Sequence, residues 1–348
     1  MHMMKMLLVI CLVISLSVPA TAAELVAPAV PASGVERMPR NADSFEQGLL
    51  ELLQDGIGLL QPGMEEAMQI SSGILVSAIL FSLMTILSEK TTAAVSVAGA
   101  AIIAAQIYRP ANAMIAYASE AVWEICEYGK LLCPVMTTAL AAQGGITAAA
   151  ALYTGTTAFI TLLSMLISRL FLPMIQFILV FSVSYCAFGE EVLKQLAGSV
   201  KNILNWLLKT MLIIFTTYMS ITGVVSGTTD AAALKATKVT ISSVVPVVGG
   251  ILSDASESVL VSMAVMKNAA GIYGILAVLA VFLGPFIKVG LQYLLLKMTA
   301  AICGIWGNKR ISAMIADFAA AMGLLLAMVA TSCLLVLIST ICFMKGTT

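Results

Sequence analysis

The chain is nearly without histidine: the single one, His2, lies at the extreme N-terminus. That argues against Ser-His-Asp and Cys-His catalysis and against His-ligated metals, all of which need an imidazole. Charge is scarce too. Only 10% of the 348 residues are charged, against about 25% in a typical soluble domain. The seven cysteines, Cys11, Cys126, Cys133, Cys186, Cys303, Cys333 and Cys342, form no C-x-x-C pair. Most sit in apolar stretches, where cysteine behaves as a small core residue. Cys126 and Cys133 could instead meet in an external loop as a disulfide. No G-x-x-x-x-G-K-[ST] run is present, so energy from nucleotide hydrolysis would have to come from a partner. No large basic patch exists, which excludes a nucleic-acid partner. Nothing in the sequence calls for a cofactor, a metal or a nucleophile–base pair, and the chain reads as non-enzymatic.

What is abundant is apolar surface. Hydrophobic residues make up 60% of the chain, and mean hydropathy is +1.04. A soluble protein of this length could not bury so much, so the lipid bilayer is the expected solvent. The fold class is therefore all-α, a polytopic membrane helix bundle of about six to eight spans. Residues 1–23 read as a signal peptide. Lys5 is the positive flank, Met6 to Val18 the apolar core and Ala20-Thr21-Ala22 the small-residue cleavage site, with cleavage at Ala22 or Ala23. An uncleaved anchor is the alternative.

The zero net charge hides an asymmetry. Residues 24–66 hold eight acids and two bases, whereas residues 129–348 hold six acids and thirteen bases. The acidic segment 24–66 follows the signal and belongs outside the cytoplasm. Its Pro/Ala-rich part, residues 24–44, reads as a flexible leader. Residues 45–61 carry Phe45, Leu49, Leu52, Leu53, Ile57, Leu59 and Leu60 among acids, an amphipathic helix pattern weakened by Gly56 and Gly58. Such a helix could lie on the outer membrane surface or dock a partner.

The polytopic domain is expected over 67–345. Candidate spans are 67–87, 91–108, 111–132, 156–188, 203–225, 269–296 and 314–343. Segment 111–132 is amphipathic, with Glu120, Glu124 and Glu127 at helical spacing and Trp123 and Tyr128 suited to an interface. The run 156–188 contains Arg169 and Pro173. As a straight helix it would be about 50 Å long, well over a hydrocarbon core of about 30 Å, so it must tilt, kink at Pro173 or break. Gly284-Pro285 interrupts the span 269–296. Lys194, Lys201 and Lys209 surround one loop, and Lys297, Lys309 and Arg310 mark another. Both are expected in the cytoplasm. The parity then closes with six spans and an external C-terminus.

A shift of 112 residues overlays Pro134-Val135 on Pro246-Val247 and Pro173 on Pro285. This suggests two parallel repeat units, about 109–226 and 227–345, an arrangement that occurs in transporters. The helix breakers Gly144, Gly145, Pro173, Pro246, Gly249, Gly250 and Pro285, with Asp254 and Lys288, are the candidate pathway residues, since broken backbone in a membrane survives only where protein or water satisfies it. Arg169 and Lys288 stand beside breakers, where a polar pathway and snorkelling are equally open. Asp317 reads as snorkelling to the interface. Lys309 and Arg310 are the candidate partner contact.

The stretch Thr237 to Ala255, with Pro246-Val247-Val248-Gly249-Gly250 followed by Leu252-Ser253-Asp254-Ala255, then Leu260 and Lys267-Asn268-Ala269, resembles the stage III sporulation protein AE family. Ala141-x-x-Gly144-Gly145-x-Thr147-x-Ala149 and Leu87-Ser88-Glu89-Lys90 are similar to the same family. The resemblance covers about residues 65–345. It implies a multi-pass protein of the mother-cell membrane facing the engulfed forespore in an endospore-forming bacterium. It also implies partners: other stage III sporulation membrane proteins, among them ring-forming components and a cytoplasmic secretion-type ATPase. With a forespore membrane protein these build a channel complex needed for forespore integrity and late gene expression. The family defines no catalytic residues. A stand-alone secondary transporter for a small solute is the competing expectation.

Overall fold

The computed structural model describes residues 27–39, 45–87, 92–244, 249–305 and 309–345, with side chains except at 85–96, 223–264 and 266. The described residues are nearly all helical and contain no strand. A one-turn helix α1 (Ala32–Val35) precedes α2 (Phe45–Leu87), α3 (Thr92–Ala142) and α4 (Ile146–Leu166). A π-helical turn (Ile167–Phe171) joins α4 to α5 (Leu172–Phe188). Then come α6 (Glu191–Val244), α7 (Gly249–Ile305) and α8 (Lys309–Lys345). Among the described residues five stretches are long and apolar enough to cross a membrane: Phe45–Met84, Ile146–Phe188, Glu191–Thr222, Lys267–Ile305 and Lys309–Lys345.

Short connections make the long helices antiparallel. The α2–α3, α5–α6 and α7–α8 connections lie at one end of the bundle, and the α3–α4 and α6–α7 connections at the other. α8 forms the hub. It packs most extensively on α7, then on α3, α5 and α6. From Ile311 to Phe343 it buries Met314, Phe318, Met322, Leu325 and Val329 along with smaller residues over a wide arc. Its hydroxyls are compatible with that immersion because they bond within their own helix. Ser332 Oγ donates to the Met328 carbonyl at 2.6 Å and Thr340 Oγ1 to that of Val336 at 2.8 Å. Such back-bonding satisfies the side chain without water.

Several expected breaks are absent. α3 runs unbroken through Pro110 and Pro134, where two segments, 91–108 and 111–132, were expected. One apolar face, Ile107, Ala111, Met114, Ile115, Ala118, Val122 and Ile125, continues across Pro110 and is buried throughout. Packing of that face holds the helix together against the local cost of proline. Cys126 and Cys133 lie on this same helix, both buried with free thiols. Seven residues of helix separate them by about 10 Å, beyond disulfide reach.

The helix Ile146–Phe188 resolves its excess length with a π turn. The N–H of Leu172 bonds to the carbonyl of Ile167, one residue further back than in an α-helix. Widening the backbone just ahead of Pro173 removes the clash that its ring would make with the preceding turn. α7, by contrast, carries Pro285 inside a continuous helix of 57 residues. The expected interruption at Gly284-Pro285 is corrected to an unbroken helix, held by α8, α2 and α3 around it.

Glycines set the closest helix approaches. A Cβ at Gly155 of α4 would overlap the Tyr218 ring of α6. The hydroxyl of Tyr218 donates to the Ala151 carbonyl at 3.0 Å, which fixes that ring in place. Gly155→Leu is therefore expected to destabilise the detergent-solubilised protein by about 1–3 kcal/mol through overpacking. Gly198→Ala, where nothing lies within 4 Å, is expected to leave the melting temperature unchanged or raised. Thermal unfolding of the two variants checks the pair.

Candidate functional site

The most polar cluster at an expected site residue lies where the leader meets α7. Gly34 of α1 is buried, and a Cβ there would stand 2.8 Å from Val281. The described part of the segment read as a flexible leader is thus seated on α7. Ser33 bonds to Glu124 of α3. Arg37 donates to the Ser33 carbonyl at 2.8 Å. Its guanidinium and the Tyr117 hydroxyl converge on Gly284. A Cβ at that glycine would meet Tyr117 Oη at 2.8 Å and Arg37 Nη1 at 3.1 Å. Lys288, one turn beyond, has its Nζ 5.7 Å from the Tyr117 ring centroid. The Lys288 ammonium over the Tyr117 ring and the Arg37 hydrogen bond to the Tyr117 hydroxyl, with Glu120 and Glu124 nearby on α3, form a latch. Of the expected pathway residues, the cluster gathers Pro285 and Lys288. Arg37, Tyr117 and Glu124 complete it; Glu124 stood out in the sequence only as part of an amphipathic pattern, and Arg37 and Tyr117 were not singled out as site residues. The only signal for Arg37 was its place as one of two bases in an acidic leader.

Gly144 and Gly145 make a different kind of feature. Gly144 has φ 93°, in the left-handed region that favours glycine. Gly145 N–H bonds to the Leu140 carbonyl at 3.1 Å and Gly144 N–H to that of Ala141 at 2.9 Å. This pair of bonds is a Schellman motif ending α3. Gln143 beside it is buried and accepts from Lys267 Nζ of α7 at 2.8 Å. Lys267 is only 3% exposed. The amide oxygen and the carbonyl end of α3 offset part of the cost of burying its charge. The Gly pair is therefore a turn that positions α4 and anchors α7.

Pro173 is exposed and stands apart from both clusters, as does Arg169 within the π turn. Pro246 lies outside the described residues. Gly249 and Gly250 open α7, and Asp254 follows within the helix, with side chains outside those described. Asp317 does not stand alone as a snorkelling group. It is half-buried and accepts from Ser182 Oγ of α5 at 2.9 Å. Lys309 and Arg310 open α8, both exposed, and their surroundings differ. Gly189, with φ 78°, caps α5 through its N–H to the Tyr185 carbonyl at 2.8 Å. The Arg310 guanidinium lies against that glycine, where a Cβ would overlap it. Its charge complements the carbonyl end of α5. Among the described residues no group of three His, Cys, Asp or Glu converges as a metal would require.

The family profile described as Stage III sporulation protein AE matches residues 51–347. The chain belongs to this family. A relative in the stage III sporulation protein AE family, from Bacillus subtilis (strain 168) and itself named "Stage III sporulation protein AE", is 28% identical over 188 residues. That alignment covers 54% of this chain and 47% of the relative, so the chain spans about half the length of the curated protein it matches. No solved structure matches this family member.

The latch has a measurable consequence. Arg37→Gln removes the charge that ties the leader to Tyr117 and α7. Amide exchange over Ala32–Met38 is expected to quicken by about tenfold as local opening becomes easier, with the exchange of α8 unchanged. Equal exchange in both proteins would show that Arg37 does not hold the leader.

Proposed function

We propose that this chain is a non-enzymatic membrane component of the channel or secretion complex that connects mother cell to forespore during endospore formation. The observation that carries the reading is the family match across 51–347. The five membrane-compatible helices support it. The protein sits as a multi-pass bundle in the mother-cell membrane facing the forespore. Basic residues gather towards the end that holds the α5–α6 and α7–α8 connections: Lys194, Lys201, Lys309 and Arg310. By the bias of short loops that end faces the cytoplasm. There it meets the secretion-type ATPase, while the opposite end, with the α6–α7 connection, meets the ring-forming partners. The transporter alternative drew on broken spans, and the continuity of α7 through Pro285 removes one of its supports.

Deletion in the native spore-former, scored after engulfment for forespore size and late forespore transcription, tests the assignment. Shrunken, silent forespores rescued by the wild-type chain are expected. Normal spores from the deletion strain would contradict the reading. The surroundings of Lys309 and Arg310 sharpen the partner test. Lys309→Glu is expected to lose ATPase from the membrane fraction at unchanged protein level. Arg310→Glu is expected to lower the protein's own stability by about 0.3–1 kcal/mol as well, since it puts an anion at a helix C-terminus.

A further inference from the structure

The apolar exterior of this bundle is about twice as tall as a bilayer. The helix Ile146–Phe188 has 43 residues, Lys267–Ile305 has 39 and Lys309–Lys345 has 37. At 1.5 Å per residue these are about 65, 58 and 55 Å, against a hydrocarbon core of about 30 Å. Large apolar side chains are exposed along the whole height. On Ile146–Phe188 they include Ile146 and Met165 above Arg169, and Phe177 and Phe188 below it. Tilt alone does not close such a gap. Whichever half the lipid covers, the other half exposes an apolar belt that needs a protein cover.

Between the halves runs a charged girdle. Arg169 lies 19 residues before Phe188 (188 − 169), Lys209 18 after Glu191 (209 − 191) and Lys288 17 before Ile305 (305 − 288). Each is therefore about 26–29 Å from the same end of the bundle. Arg169 and Lys209 are exposed and form no ion pair among the described residues. On α2 the charge at this level has the opposite sign. Gly56 packs on Leu283 and Ile287, and Gly63 on Leu291. Their neighbours Asp55, Glu65 and Glu66, all exposed, thus bracket the level of Lys288. The acids of α2 and the bases Arg169 and Lys209 are on different sides of the molecule. α2 packs chiefly on α7 and α3, whereas α6 packs on α4, α5 and α8. Exposed apolar residues accompany both: Leu53, Ile57 and Met64 on α2, and Ile203, Trp206 and Ile213 on α6.

We propose that copies of this chain assemble head to tail, with the acidic outer face of α2 of one copy against the basic face of the next that carries Arg169 of the π turn and Lys209 of α6. Symmetric pairing of α2 with α2 or of α6 with α6 would set like charges against each other, which costs affinity. A heterologous contact matches them, and repeated about an axis normal to the membrane it closes into a ring. The contact also covers the apolar height that lipid leaves open. The inference rests on apolar height and charge placement, and it stands apart from the sporulation reading.

The test uses the full-length chain in membranes, with Gln61→Cys and Trp206→Cys introduced to report the contact by disulfide formation. The expected result is a ladder of dimers, trimers and larger species. Asp55→Lys/Glu65→Lys/Glu66→Lys in that background, or Arg169→Glu/Lys209→Glu, is expected to cut the ladder by about tenfold, because each leaves both faces with one sign. Co-expression of the two charge variants is expected to restore it, since the faces then match between unlike copies. That rescue also shows both variants to be folded. A wild-type background without a ladder, a product limited to dimers, or a ladder indifferent to either charge reversal would overturn the proposal.

Discussion

The burial of α8 is the constraint on which the other helices depend. A helix that is apolar over most of its circumference belongs in a core. From Ile311 to Phe343 this one has no charge except Asp317, which Ser182 partners. Ser332 and Thr340 bond to their own helix, and Ser339 meets Thr156 of α4 at 2.6 Å. No polar atom on this face then requires water, so α7, α3, α5 and α6 can close around it. The α7–α8 hairpin fixes the height of Gly284-Pro285. The contact of α3 with both of those helices brings Tyr117 and Glu124 to the same place. The leader latch therefore follows from the packing of α7 and α3 on α8.

Composition and long apolar runs made the helical membrane class legible, because lipid leaves few other solutions. The behaviour of the prolines was much less legible. Pro173, Pro110, Pro134 and Pro285 look alike in sequence, yet the first follows a π turn and the others sit in continuous α-helix. The difference is tertiary. A buried face such as Ile107–Ala111–Met114–Ala118 carries a helix through a proline, and no window of local sequence encodes what that face packs against. The amphipathic pattern of residues 45–61 was visible, and its docking surface is α7 of the same chain, reached through Gly56 and Gly63.

Of the candidate site, Lys288 and Pro285 could be picked out as a charge beside a breaker, and Gly144-Gly145 as a helix breaker. Their partners could not. Arg37 is more than 240 residues away from Gly284 in the chain, and Lys267 and Gln143 are 124 apart. Contacts of that separation appear only once the fold has closed. The π turn at Arg169 and the placement of acids on α2 are likewise invisible in one dimension. Together they divide the bundle into two apolar halves with a charged middle, and this division makes the molecule too tall for lipid alone.

The most direct measurement of that account is a depth scan along the exposed face of Ile146–Phe188, using single spin labels in reconstituted bilayers with lipid-soluble and water-soluble relaxation agents. The account predicts a lipid-exposed stretch of about 20 residues that ends at the level of Arg169, with the remaining positions shielded from lipid. Lipid exposure along all 43 residues would contradict it.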